Sequence, residues 1–230
     1  MPDDIEQARR TAHLEAAPAV LVAALLDVLL ALGSLWQGWW LSVQGDWWVW
    51  LALALPAVIL AGVFVLGLGR LGVSSEHRRW AALTLLGLVA VANLVGIALV
   101  IRALLNGGGH VTGGQLLSSA LVVLVVNAIT FGLIFWELDC GGPVRRSLAL
   151  ERRTPDFQFP QDENPQLARP DWSPALNDYL YLALTNSIAF SPTDAMPLSH
   201  RAKLLMGVES VIAVATVLIV AARAVNIMHG

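Results

Sequence analysis

Five long apolar segments constrain this chain more strongly than any other feature of its sequence. Crossing a hydrocarbon core of about 30 Å takes roughly 20 apolar residues in a helix, because lipid offers no partner for unpaired backbone groups. Each segment reaches that length with at most one ionisable residue. The segments run Ala16 to Trp36, Trp47 to Gly69, Trp80 to Ile101, Leu116 to Trp136 and Leu204 to Ala222.

The amino-acid composition also indicates that the protein is surrounded mainly by lipid. Only 13% of the 230 residues are charged and 57% are hydrophobic, whereas soluble domains carry roughly 25% charged residues to keep their surface wetted. We therefore predict an all-α fold, a polytopic transmembrane helical bundle with five full spans plus one short polar helix. The expected regions are a cytoplasmic segment 1–15, a four-helix transmembrane region 16–136, a Pro- and Arg-rich connection 137–173, and a C-terminal region 174–230.

The positions of Lys and Arg predict the orientation of the bundle. Basic residues near helix ends tend to remain in the cytoplasm. Here they fall mainly in every second connection between the predicted spans, and these connections lie on one side of the membrane. We therefore predict a cytoplasmic N-terminus for a multi-pass protein of the cell (inner) membrane. The basic residues on the expected cytoplasmic side are Arg9, Arg10, Arg70, Arg78, Arg79, Arg145, Arg146, Arg152, Arg153 and Arg169, against Arg102 in the alternate loops.

The connection 137–173 contains five prolines among many charges. Such a composition offers little apolar surface for an ordered core. We expect an irregular cytoplasmic segment along the membrane surface, in which Phe157 and Phe159 either dip into the interface or, as is more common for scattered loop aromatics, have no structural role.

The sixth segment, from Ser173 to Ser199, is shorter and more polar than the five spans. Ser173 is a suitable N-cap, and the helix should end near Ser191 because Pro192 follows. Asp178, Tyr181 and Thr185 are spaced so that they share one helical face. Two interpretations remain open: a short spanning helix that packs its polar groups against its neighbours, or a re-entrant segment that lines a path.

This segment resembles the pore region of the potassium-channel superfamily. In that family an aspartate and a Leu-Tyr pair open a short pore helix, which is followed by the selectivity filter, an aspartate, a later proline and a final transmembrane helix. Asp178, Leu180 and Tyr181 match the opening, whereas Asp194 and Pro197 match the later positions without a gap. The resemblance implies a pore-like role for the segment.

The filter itself is different in this sequence. Ala189 to Thr193 stand at the filter positions and include no glycine, although glycine allows the alternating backbone that presents successive carbonyls. A potassium filter is therefore excluded. The chain as a whole resembles a family of bacterial multi-pass membrane proteins that end in a similar polar helix and closing helix. The residues expected to line a pore or polar path are Asp178, Tyr181, Thr185, Asn186, Ser191, Thr193 and Asp194.

Two acids lie inside predicted spans, Asp27 in the first and Glu209 in the last. A charge at that depth costs from about 2.5 to more than 10 kcal/mol, so such acids face a bundle interior or a wet path. They serve either as proton or cation carriers or as neutral acids hydrogen-bonded between helices. Asn93 and Asn127 are expected to form interhelical hydrogen bonds.

Several functional classes lack support in the sequence. No Gly-x-Ser-x-Gly, Walker or His-Glu-x-x-His motif is present, so we predict no enzyme, no catalytic residue and no cofactor. The histidines lack metal-ligand spacing and Cys140 is the only cysteine, which argues against a metal site. A net charge of −3 without a basic tract argues against nucleic acid as a partner.

Three functional hypotheses remain. The first is a homo-oligomeric pore, because one copy of the polar segment cannot enclose a channel. The second is a proton- or ion-coupled transporter that uses Asp27 and Glu209. The third is a non-transporting scaffold or regulator that docks partners through the Arg-rich connection. Membrane lipids are the expected surroundings in all three cases, and an ion or proton is the expected ligand in the first two.

Overall fold

The computed structural model is all-α, with one very short pair of strands. It describes residues 2–36, 47–65, 75–105, 113–148, 154–170, 172–189 and 195–228. The elements are α1 (Pro2–Trp36), α2 (Trp47–Val65), α3 (Ser75–Leu105), α4 (Gly113–Leu138), a 3₁₀ turn (Asp139–Gly141), α5 (Pro143–Ser147), β1 (Phe157–Gln158), α6 (Pro160–Glu163), a 3₁₀ turn (Pro165–Leu167), α7 (Leu176–Ala189), β2 (Met196–Pro197) and α8 (His200–Met228).

Four of the described helices are long and apolar enough to cross a membrane. They contain the stretches Asp3–Gly33, Arg79–Ala98, Leu117–Gly141 and His200–Ile219. The remaining predicted span corresponds to α2, whose described apolar part, Leu51–Val65, is shorter than a full span; residues 66–69 of that prediction lie outside the described residues. The four apolar helices are compatible with an integral membrane protein.

The outer faces of the long helices carry large apolar side chains. Leu25 of α1, Leu121 of α4 and Leu218 of α8 are each more than half exposed. Water would oppose that exposure by about 25 cal/mol for each Å² of apolar surface, whereas lipid tails accept it. The side-chain distribution thus fits a bundle that is surrounded by hydrocarbon.

Helix α4 lies at the centre of the bundle, where it packs against α1, α3, α7 and α8. Its span is 56% buried, against 33% for each of the other three. Gly132 allows the closest approach, because a Cβ built on it would lie only 3.1 Å from the Leu180 Cα of α7. Helices α4 and α7 therefore meet almost backbone to backbone.

We call the end of the bundle at which α4 finishes the loop end. The ends of several neighbouring helices lie there too. Arg79, near the start of α3, donates to the backbone carbonyls of Glu137 (3.1 Å) and Leu138 (3.4 Å) at the end of α4. His13 of α1 stacks on Phe64 of α2 with ring centroids 5.2 Å apart. Helices α1 and α3 thus start at the loop end, and α2 and α4 finish there.

The chain leaves α4 through three consecutive residues with positive φ. Cys140, Gly141 and Gly142 have φ values of 51°, 85° and 100°, a region that glycine reaches without steric cost. This turn directs the following connection back across the loop end.

The described part of the connection is ordered, contrary to the expectation of an irregular segment. Phe157 and Phe159 are 2% and 4% exposed, and both rings pack against the ring of Tyr179 in α7. The interpretation of these two phenylalanines as residues without a structural role is wrong. Their burial provides the apolar surface that the composition of the connection did not reveal.

The starts of α7 and α8 both lie at the loop end. Tyr179, in the first turn of α7, donates to the Asp139 carboxylate just after α4. Ser199, directly before α8, donates to the Asp156 carboxylate, and the Asp156 N–H donates to Asp139 at 2.7 Å. Strand β1 also pairs with β2 there, with Phe157 opposite Pro197. Helices α7 and α8 therefore enter the bundle from the same end.

Candidate functional site

The Glu209 carboxylate of α8 is fully buried among polar groups of three helices. Its Oε2 accepts a hydrogen bond from the Asn186 side-chain amide at 2.7 Å, and its Oε1 accepts one from the Ser187 hydroxyl at 2.9 Å. Both donors lie in the last turn and a half of α7. We call Asn127, Asn186, Ser187, Glu209 and Ser210 the Glu209 cluster.

Asn186 connects the two helices at several points. Its amide also donates to the Met206 backbone carbonyl at 3.0 Å, and its side-chain oxygen accepts from the Ser210 hydroxyl at 3.3 Å. Every polar atom of the Asn186 side chain is thereby used. The amide group is held in one orientation, with its N–H groups towards α8.

Asn127 adds α4 to the cluster and leaves one acceptor unpaired. Its side-chain amide donates to the Glu209 backbone carbonyl at 3.4 Å, which confirms the interhelical hydrogen bond expected of this residue. Its Oδ1 is buried and has no hydrogen-bond partner. An unpaired buried acceptor of this kind commonly marks a place for water or an ion.

Within the described part of the chain, no neighbouring base balances a charge on Glu209. None of the described Lys, Arg or His residues forms an ion pair with it, and its two side-chain donors are neutral. Neutral donors stabilise an ionised carboxylate less completely than a guanidinium does. The group is therefore placed to exchange a proton or to bind a small cation.

No family model, curated protein or solved structure matches this chain.

Asp27, the second predicted acid, does not join the Glu209 cluster. It is half-buried in α1 between the buried residues Ala24 and Ala31. Within the described ranges it forms no hydrogen bond or ion pair. Its role as a coupling acid stays a prediction.

A second polar group, at the loop end, contrasts with the Glu209 cluster. Asp139 and Asp156 are buried, and Asp156 binds the Arg201 guanidinium through both carboxylate oxygens, with Nε at 2.6 Å from Oδ1. The Arg146 guanidinium lies over the Tyr179 ring at 5.1 Å and donates to the Asp139 backbone carbonyl at 3.0 Å. We call Asp139, Arg146, Asp156, Tyr179 and Arg201 the anchoring cluster. Within this cluster Asp156 and Arg201 form an ion pair, whereas the Asp139 carboxylate accepts from the Asp156 N–H and the Tyr179 hydroxyl.

The structure separates the residues of the predicted polar path. Asn186 lies in the Glu209 cluster, whereas the Asp178 carboxylate accepts from the Ala175 N–H at 2.8 Å and caps the start of α7. The helix therefore begins after Ala175, and the predicted cap at Ser173 is wrong. Tyr181 is half exposed on the outer side of α7, and the Thr185 hydroxyl donates back to the Tyr181 carbonyl at 2.9 Å.

The remaining residues of that path, Ser191, Thr193 and Asp194, lie outside the described residues. Three His, Cys, Asp or Glu side chains suited to hold a metal ion do not come together anywhere in the described part of the chain.

Sequence reasoning missed several residues of both clusters. Ser187 and Ser210 are small hydroxyl residues whose partners are far away in sequence, so nothing local distinguishes them from other helical serines. Tyr179 was overlooked in favour of Tyr181, although the buried positions of α7 follow the spacing of Leu176, Tyr179 and Ala183. That apolar periodicity is the signal that would have identified Tyr179 as the inward-facing tyrosine.

Proposed function

We propose that this protein moves protons or small monovalent cations across the membrane, and that the Glu209 carboxylate binds them in transit. The observation that carries the proposal is a fully buried carboxylate held by two neutral donors, without an ion pair to any described base. An acid that served only packing would be costly at this depth. Its retention there is explained by exchange of a positive charge.

The hydrogen bonds around Glu209 suit proton exchange. A serine hydroxyl both donates and accepts, so a proton added to Oε1 can be donated to the Ser187 oxygen. The Ser187 proton then turns to another acceptor, and helical serines have the carbonyl four residues earlier within reach. Asn186 can continue to donate to Oε2 in both states. The site thus accommodates a neutral or a charged carboxyl without rearrangement of α7 and α8.

The direction of α7 supports a re-entrant segment. Helix α7 has 14 residues, about 21 Å of helix, which is less than the hydrocarbon thickness of about 30 Å. Its start and the start of α8 are both fixed at the loop end by the anchoring cluster. We infer that α7 enters from the loop end and that the chain returns to that end before α8 crosses.

The positions of basic residues support a cytoplasmic location of the loop end. Arg201 and Lys203 begin α8, and a re-entrant α7 puts them on the same side as the arginines of the connection. The basic residues at the start of α8 and those of the connection then all favour a cytoplasmic location for this end of the bundle. The bacterial inner membrane is the location that we propose on this basis.

Flux through proteoliposomes tests the proposed function. We expect the purified wild-type chain to dissipate an imposed pH or sodium gradient faster than empty liposomes do, and Glu209→Gln to abolish this activity. Gln keeps the size of the side chain but can neither exchange the proton nor carry the charge. Glu163→Gln, at an exposed acid of α6, is the matched control and should retain wild-type flux. Unchanged flux in Glu209→Gln, or no flux in the wild type, refutes the proposal.

A pore between several copies is the second candidate. The observation that favours it is the half exposure of Tyr181 on the outer side of α7, next to the partly exposed Thr185. In a homo-oligomer this side would face an axis between chains. Reconstitution at no more than one chain per liposome decides between the candidates, because a pore between copies loses its flux when the chain is monomeric.

A further inference from the structure

Two buried amides have unpaired atoms in the interior of the bundle. The Oδ1 of Asn127 and the Nδ2 of Asn93 have no hydrogen-bond partner, and the residues are fully and more than nine-tenths buried. An unpaired polar group of this kind costs about 1–3 kcal/mol. Two in one bundle call for an explanation beyond packing.

The depth of these residues follows from an apolar cluster that joins four helices. Ala24 of α1, Val89 of α3 and Val126 of α4 belong to it, together with Ala57 of α2. Asn127 directly follows Val126. At 1.5 Å for each helical residue, Asn127 lies about 1.5 Å nearer the loop end than this cluster, whereas Asp27 and Asn93 lie about 4.5 and 6 Å farther from it.

The faces of the helices agree with this placement. Asn93 lies on the buried stripe of α3 between Val89 and Ile97, and α3 packs against both α4 and α8. Asp27 lies on the buried stripe of α1, which packs against α4. Helix α4, which carries Asn127, therefore packs against each of the helices that carry Glu209, Asn93 and Asp27.

We propose that Asn127 and Asn93 line a hydrated polar track within a single chain, which connects Glu209 to Asp27. Water fits the unpaired atoms, since one molecule can donate to the Asn127 Oδ1 and another can accept from the Asn93 Nδ2. A chain of such waters passes a proton or solvates a small cation between the two acids. This inference rests on the proposed function, because it supplies the path that continues from the Glu209 site.

Pairs of Thr and Val variants at the same position test whether a water-binding side chain is needed in the track. Thr and Val have nearly the same shape, so Asn93→Thr and Asn93→Val disturb packing equally but only Thr keeps a group that binds water; Asn127→Thr and Asn127→Val form the same pair. We expect each Val variant to lose flux by about tenfold or more relative to its Thr partner. Thr216→Val, which removes a buried hydroxyl of α8 that is bonded only to its own helix, should keep wild-type flux.

The outcomes separate the track from the proposed function. Equal flux within each Thr and Val pair refutes the track, and the proposed function still stands if Glu209→Gln is inactive. Carbodiimide labelling of Glu209, read by mass spectrometry, should persist in the Val variants because the acid itself is unchanged. Loss of labelling in those variants would show that they disrupt the Glu209 site and would refute a role confined to the track.

A measurement on the wild-type protein covers the case in which the variants do not fold. X-ray-generated hydroxyl radicals modify buried side chains that lie beside ordered water. Val126 borders the track and is fully buried, whereas Leu182 is equally buried in α7. Modification of Val126 above that of Leu182, after correction for intrinsic reactivity, supports the track, and equal protection of both refutes it.

Discussion

The anchoring cluster and the Glu209 cluster each hold a buried carboxylate, Asp156 and Glu209, and these two carboxylates have opposite kinds of partners. At the loop end, Asp156 accepts a bidentate pair from Arg201 and a hydrogen bond from Ser199. In the bundle interior, Glu209 accepts only from an amide and a hydroxyl. A carboxylate that is fully paired is suited to hold elements in place, and one with neutral donors alone is suited to change its charge. The same residue chemistry thus predicts stability at one place and exchange at the other.

The largest effect should come from the aromatic residues that support the anchoring cluster. Phe157→Ala removes a buried ring that contacts Phe135 and Tyr179, and we expect a loss of about 3–5 kcal/mol in the free energy of unfolding. Steric trapping or denaturant titration in bicelles measures this loss. Leu167→Ala, at an exposed position, should change stability by no more than about 0.5 kcal/mol. Similar losses in the two variants would contradict a structural loop end.

Exchanging acid for amide in each cluster tests the comparison directly. Asp156→Asn removes the charge that binds Arg201 and should cost about 2–3 kcal/mol of stability. Glu209→Gln should cost less than about 1 kcal/mol, because the amide can donate to Ser187 and still accept from Asn186. Thermal unfolding of both variants in the same detergent measures the difference. The comparison fails if the Glu209 variant is the less stable one.

A smaller effect is expected where α4 meets α7 between the two clusters. In Gly132→Ala the added methyl group would lie 2.8 Å from the Leu180 Cδ2 and 3.1 Å from its Cα, so we expect a loss of about 1–3 kcal/mol from overpacking. Gly207→Ala in α8 meets nothing within 4 Å and should be neutral or stabilising by up to about 1 kcal/mol. Thermal unfolding compares them. Equal stability would mean that α7 shifts freely against α4.

The amino-acid sequence predicted the helical class and much of the span pattern, because length and apolarity are local properties. Four of the expected spans appear among the helices that are long and apolar enough to cross a membrane. The order of the connection could not be predicted in the same way. Phe157 is buried by rings from α4 and α7 that are more than 20 residues away, and loop composition does not reveal such contacts.

Only part of the Glu209 cluster was predicted from the amino-acid sequence. Glu209 was identified because an acid in an apolar helix is rare, and Asn186 because it makes the short helix polar. Their pairing depends on the crossing of α7 and α8, so neither Ser187 nor Ser210 could be assigned before the helices were placed. Tyr181, which matches the tyrosine of the Leu-Tyr pair in potassium-channel pore helices, lies on the opposite side of α7 from these contacts.

The central position of α4 has a consequence for how this sequence can vary. The spans of α1, α3 and α8 are each only 33% buried, and leucine, valine and isoleucine can replace one another on their exposed faces. The span of α4 is 56% buried and packs against four other helices, so a change of one methylene on its buried face must be matched by a neighbour. Homologous chains should therefore drift freely in their outer helices and keep side-chain volumes nearly constant along α4.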